Sequence, residues 1–89
     1  MSEIVRRAAA GTLESSDVYV ELEPSDAGIE IELDSVVIRQ FGDEIRRVVG
    51  EVLTEQGVTC AKLRVVDRGA LDCVIRARVE TAIVRAKGE

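Results

Sequence analysis

The sequence predicts an α+β fold, a small two-layer sandwich with helices on one face of a mixed or antiparallel sheet. Short stretches of strict apolar–polar alternation at residues 18–23, 29–34 and 61–65 predict strands. Between them, apolar residues over 37–52 recur at helical spacing. The length, 89 residues, allows one domain with a thin core.

Residues 1–16 show no periodicity and read as a flexible N-terminal arm, leaving residues 17–89 as the folded domain. From Asp17 the pattern changes: Val18, Val20 and Leu22 alternate with Tyr19, Glu21 and Glu23, a half-buried strand. "PSDAG" at 24–28 has turn chemistry, with Pro24 fixing one backbone angle and Gly28 relaxing another. Ile29, Ile31 and Leu33 then alternate with acidic residues, so 17–34 reads as a β-hairpin. Asp34 or Ser35 can cap the helix that follows. Val37, Phe41, Ile45, Val48 and Val52 form its apolar stripe, and Gly57 suits its C-terminal end. Gly42 and Gly50 each cost that helix about 1 kcal/mol relative to Ala, which suggests close packing on the sheet.

The third strand points Ala61, Leu63 and Val65 inward and Lys62 and Arg64 outward. That basic face would pair with the acidic faces of the first two strands if they are neighbours. "DRGA" at 67–70 reads as a turn. The last segment fits two templates, because Leu71, Cys73, Ile75, Ala77 and Val79 alternate while Leu71, Ile75, Val79 and Ala82 fit a helix. The β-branched Val74 and Ile75 favour a strand over 71–77, turning into a helix over 79–87. The expected order is ββαββα, and the runner-up is ββαβα with one long final helix.

Composition narrows the function. A formal net charge of −5, from 12 basic and 17 acidic residues, argues against nucleic-acid partners and anionic membrane surfaces. No apolar run approaches a membrane span, and "MSEIVRRAAAGT" is a poor signal peptide. The expected compartment is the cytoplasm, with Cys60 and Cys73 as reduced core thiols. The chain has no histidine, so it has no Ser–His pair, no imidazole base and no usual zinc site. It also lacks the Gly-rich phosphate loops. A small acidic chain without catalytic equipment reads as a carrier, an adaptor or a subunit, not as an enzyme on its own.

Ser15 and Ser16 lie between Glu14 and Asp17, just ahead of the first strand. Taken alone they are a polar strand entry. Ser2, Ser25 and Ser35 read as terminus, turn and cap. The basic group Arg68, Arg76, Arg78, Arg85 and Lys87 reads as a solvated face balanced by Glu30, Glu32 and Asp34.

Three stretches in order, "GTLESSD" at 11–17, "QFGDEIR" at 40–46 and "DRGALDCVIRARVE" at 67–80, closely resemble the acyl carrier (γ) subunit of citrate lyase, over nearly the whole chain. The resemblance implies a covalently bound phosphoribosyl dephospho-coenzyme A, held by a phosphodiester to the serine after the glutamate of "GTLES", here Ser15. It also implies that the cofactor's thiol, not a cysteine of the chain, carries acetyl and citryl thioesters between a transferase (α) and a lyase (β) subunit. These partners cleave citrate to acetate and oxaloacetate. Further implied partners are a prosthetic-group transferase and an acetyl-activating ligase. Nothing here is similar to the four-helix carrier fold with its "DSL" serine. The carrier subunit of malonate decarboxylase is the near alternative, and a protein-interaction domain without a covalent group is the alternative of another class.

Overall fold

The computed structural model describes residues 4–88. Its elements are β1 (Ala8–Gly11), β2 (Val18–Glu23), β3 (Ile29–Ser35), α1 (Ile38–Glu55), β4 (Ala61–Asp67) and α2 (Asp72–Ala86). The strands form one sheet in the order β1-β2-β4-β3. β1–β2 and β2–β4 are antiparallel, and β3–β4 is parallel. Val18, Val20 and Leu22 of β2 and Ala61, Leu63 and Val65 of β4 are buried on one face. There they meet Ile45, Val48, Val49 and Val52 of α1 and Ile75, Val79, Ala82 and Ile83 of α2 in one aliphatic core. The α+β sandwich is therefore as expected, but its strands are drawn from different places.

β2 and β3 do not form the expected hairpin, because β4 lies between them. Charge explains the order. Directly paired, the two outward faces would set Glu against Glu. With β4 inserted, Arg64 lies opposite both Glu21 and Glu32, and Lys62 lies opposite both Glu23 and Glu30. Residues 24–28 still turn, with the Ala27 amide on Ser25 Oγ at 3.1 Å and Gly28 at φ 82°, but the strands they join are not neighbours. α1 is then the crossover that a parallel β3–β4 pair requires.

The fourth strand is β1, not residues 71–77. Residues 8–11, expected in a loose arm, instead pair with Tyr19–Leu22 of β2. The lead-in is also tied down: Ile4 is buried, and the Val5 and Arg6 amides donate to the Ala86 carbonyl at 3.0 and 3.2 Å. Residues 72–86 are one helix throughout, the runner-up reading of the C-terminal part. Ile75, Val79, Ala82, Ile83 and Ala86 are buried along one helical stripe, whereas Cys73 and Ala77, inward on the strand template, are exposed.

α1 begins later than expected, with Val37 as its N-cap and no side-chain cap. The Ser35 hydroxyl instead accepts from the Val37 amide and donates to Asp67 Oδ2 at 2.7 Å. At the other end Gly57, at φ 72°, closes a Schellman motif: its amide donates to Thr54 O and that of Val58 to Leu53 O. Of the expected stripe, Ile45, Val48 and Val52 are buried and Val37 is half-buried, but Phe41 is 53% exposed.

Candidate carrier site

Thr12–Asp17 is the loop of the β1–β2 hairpin, and Ser15 lies at its tip. The Asp17 amide donates to the Glu14 carbonyl at 3.1 Å, closing a four-residue turn. Ser15 is the first corner of that turn and Ser16 the second, at φ 65°. A positive angle at the second corner alone marks a type II turn, which prefers Gly or Asn there. Ser16 is the sole non-glycine residue with positive φ among the described residues. Ser15 is exposed, and its hydroxyl makes no hydrogen bond among the described residues.

The base of the loop is held from several sides. Gly11 sits at φ 93°, and a Cβ there would stand 1.9 Å from the Val18 carbonyl oxygen, so only glycine fits. The Ser16 amide donates to Arg68 O at 2.8 Å, and the Arg68 amide donates to Asp17 O at 2.9 Å, extending the β2–β4 pairing into the turn. Asp17 joins these pieces. Its carboxylate accepts from the Thr12 hydroxyl at 2.6 Å, the Val18 amide at 2.7 Å, and the Arg78 guanidinium at 3.1 and 3.0 Å.

Those bonds stabilise the charged form. The Thr12 hydroxyl first, then the Arg78 guanidinium, with help from the Val18 amide, bring the Asp17 carboxyl down to about 2, against the opposing effect of desolvation. Asp17 therefore ties the Ser15 loop to α2, with its charge answered by Arg78. Nothing in the sequence pattern announces this pair, because the two residues are separated by 61 positions. Gly11 and Thr12 are visible in the sequence, but their roles follow only from the hairpin that the alanines of β1 conceal.

The other candidates move. Cys60 is half-buried, while Cys73 is exposed in the first turn of α2, so it is not a core residue. The basic group does not face Glu30, Glu32 and Asp34. Arg76 bonds Glu51 and Glu55 of α1, Arg78 bonds Asp17, Arg85 bonds the Ala9 carbonyl, and Lys87 bonds the Gln56 carbonyl. These are ties between elements, made possible because 72–86 is a helix. Arg68 is exposed beside the loop. Among the described residues no cluster of His, Cys, Asp and Glu is suited to a metal, and no helix is long and apolar enough to cross a membrane.

Known proteins match this chain over nearly its whole length. The family model described as malonate decarboxylase delta subunit (MdcD) matches residues 5–86. The citrate lyase acyl carrier protein of Enterobacter sp. (strain 638) is 53% identical over 87 residues, covering 98% of this chain and 90% of that protein. The protein of that name from Haemophilus influenzae (strain PittEE) is 52% identical over the same length and coverage. Among solved structures, a chain of a Pseudomonas malonate decarboxylase hetero-tetramer in complex with malonate superposes with a TM-score of 0.79 at 24% identity. That superposition covers 91% of this chain and 84% of that one, and it shows a shared fold. The chain belongs to the citrate lyase acyl carrier protein family, within the wider family described by the malonate decarboxylase delta subunit, and its role is that of an acyl carrier.

Proposed function

We propose that this chain is the acyl carrier subunit of citrate lyase, working in the cytoplasm with the α and β subunits, and that Ser15 carries phosphoribosyl dephospho-coenzyme A through a phosphodiester. The observation that carries the reading is the exposed, unbonded Ser15 hydroxyl at the corner of a clamped turn, in a chain 53% identical to a citrate lyase acyl carrier protein. The residues fit such a group. A hydroxyl at an outer corner is open to a modifying active site, and the nearest acid in the sequence towards the sheet, Asp17, is already paired with Arg78. The bound group would supply a terminal thiol on which acyl groups ride as thioesters. The chain's own residues present and orient the attachment point. They supply no general base of the imidazole kind, since the chain has no histidine. Activation of the serine then belongs to a prosthetic-group transferase, and charging of the thiol to an acetyl-activating ligase.

Intact mass tests the assignment. Co-expressed with the citrate lyase maturation enzymes, the chain gains the mass of phosphoribosyl dephospho-coenzyme A. Ser15→Ala abolishes the gain and Ser16→Ala keeps it. A gain lost only in Ser16→Ala refutes the site, and no gain refutes the assignment to citrate lyase. The second reading, carrier subunit of malonate decarboxylase, is supported by the matching family model and the shared fold. Reconstitution with the α and β subunits of each complex distinguishes the two by which activity appears.

A further inference from the structure

A recess of ≈ 350 Å³ opens where the N-terminal ends of α1 and α2 meet the end of β4, with Val37, Phe41, Ala70 and Leu71 among its walls. Its apolar surface is unusually open: Phe41, the single Phe of the chain, is 53% exposed and Leu71 is 71% exposed. The neighbouring Val36 and Ile38 are 62% and 45% exposed. Exposed apolar residues grouped at one place are what contact surfaces use. Glu44 and Asp72 both line it. The Asp72 carboxyl is pushed up, first by its hydrogen bond with Glu44 and then by desolvation. Arg47 answers Glu44 through both carboxylate oxygens and also bonds Glu51, whereas Asp72 makes no ion pair among the described residues. An apolar recess beside an unpaired carboxylate is complementary to an apolar side chain flanked by a cation.

The recess also adjoins the Ser15 loop. Asp67 lines it, and the Asp67 carboxylate holds the Ala70 amide at 2.9 Å and the Ser35 hydroxyl. The next residue, Arg68, is the one whose backbone pairs with Ser16 and Asp17. A protein seated on the recess would stand beside the carrier loop. A second copy of this chain is a poor occupant, because a two-fold contact would set the same carboxylates against each other on a chain of net charge −5.

We propose that this recess docks an acyl-processing partner subunit, which inserts an apolar side chain between Phe41 and Leu71 and sets an Arg or Lys beside Asp72. This rests on the carrier reading above. The test is binding of the full chain to separately immobilised citrate lyase α and β subunits, with Ser15 modification followed by intact mass. Leu71→Ser weakens binding to at least one subunit by about tenfold or more, as central apolar contacts do. Phe41→Ser does the same. Asp72→Asn weakens it and flattens the loss of affinity between about 50 and 300 mM salt.

Leu71 is the N-cap of α2 and makes no side-chain cap bond, so Ser there provides a better cap and holds or raises the melting temperature. Lost binding in that variant is then not lost folding. If the wild type is modified and binds while Leu71→Ser binds equally well, this inference alone fails. If Leu71→Ser breaks a wild-type dimer in sedimentation equilibrium without changing subunit binding, a second copy is the occupant and the inference is overturned. If the wild type is unmodified and binds neither subunit, the citrate lyase reading and this inference fail together.

Discussion

Asp17→Asn should cost stability at neutral pH and almost nothing in strong acid. The Asp17 carboxyl falls from an ordinary 3.8 to about 2 in the folded chain. A tenfold strengthening of an acid on folding corresponds to about 1.4 kcal/mol, but Arg78 is 40% exposed, and screening brings the expected contribution to about 1–2 kcal/mol. The folded value is depressed, so this stabilisation is complete above the unfolded value and disappears as pH falls through the folded value. Urea unfolding at about pH 6 should show the variant less stable by about 1–2 kcal/mol, and at about pH 2 the gap should close to roughly half that or less. Other carboxylates, such as Glu21, titrate in both proteins and leave the difference untouched. A gap that stays constant with pH, or none at pH 6, would show that Asp17 does not hold the loop through its charge. Hydrogen exchange gives the local counterpart: the Ser16 amide, protected by Arg68 O, should exchange faster in the variant.

Two further substitutions test the backbone. Ser16→Gly relieves a left-handed angle of φ 65° in a residue with a Cβ, and should stabilise the chain by about 0.5–1 kcal/mol in urea unfolding, once the extra flexibility of unfolded glycine is subtracted. Gly50→Ala meets nothing within 4 Å of the new Cβ, contrary to the close packing its place in a helix suggested. It should raise stability by about 0.5–1 kcal/mol, measured the same way, and a loss would mean that the helix surface there is not open.

What the sequence discloses and what it conceals follow from the interactions involved. β2, β4 and α1 are legible because each has one buried face and one polar face, and periodicity reports burial. β1 is not legible. Ala8, Ala9 and Ala10 have no alternation and little strand preference, and their strand is made by pairing with β2 and by packing against α2. The partner of β2 is easily mistaken, because a short turn and two alternating runs look alike whether or not the runs pair. The charges hold the answer, since acidic faces on both β2 and β3 call for the basic face of β4 between them. The 71–79 run is ambiguous at the level of period, and length decides it: the helical stripe continues to Ala86, well beyond where the alternation ends. Ser15 stands out by motif resemblance. Its clamp does not, because Asp17 and Arg78 meet only after α2 has packed over β1 and β2.

That clamp changes the physical picture of the Ser15 loop. A loose arm would let the serine itself travel, at the cost of diluting whatever it carries through many orientations. Here the backbone on either side of Ser15 is fixed by Gly11, by two hydrogen bonds to Arg68 and by Asp17, and α2 is fixed to α1 through Arg76. In the proposed role, reach must then come from the attached group, while the protein holds its root and direction constant. A fixed root confines the group's far end to a defined volume, which raises its effective concentration at any active site within that volume. It also makes docking geometry matter, since a partner must bind where the root already points. The open apolar recess lies at the same end of the sheet and is connected to the loop through residues 67–70, so a partner docked there as proposed would stand beside that root.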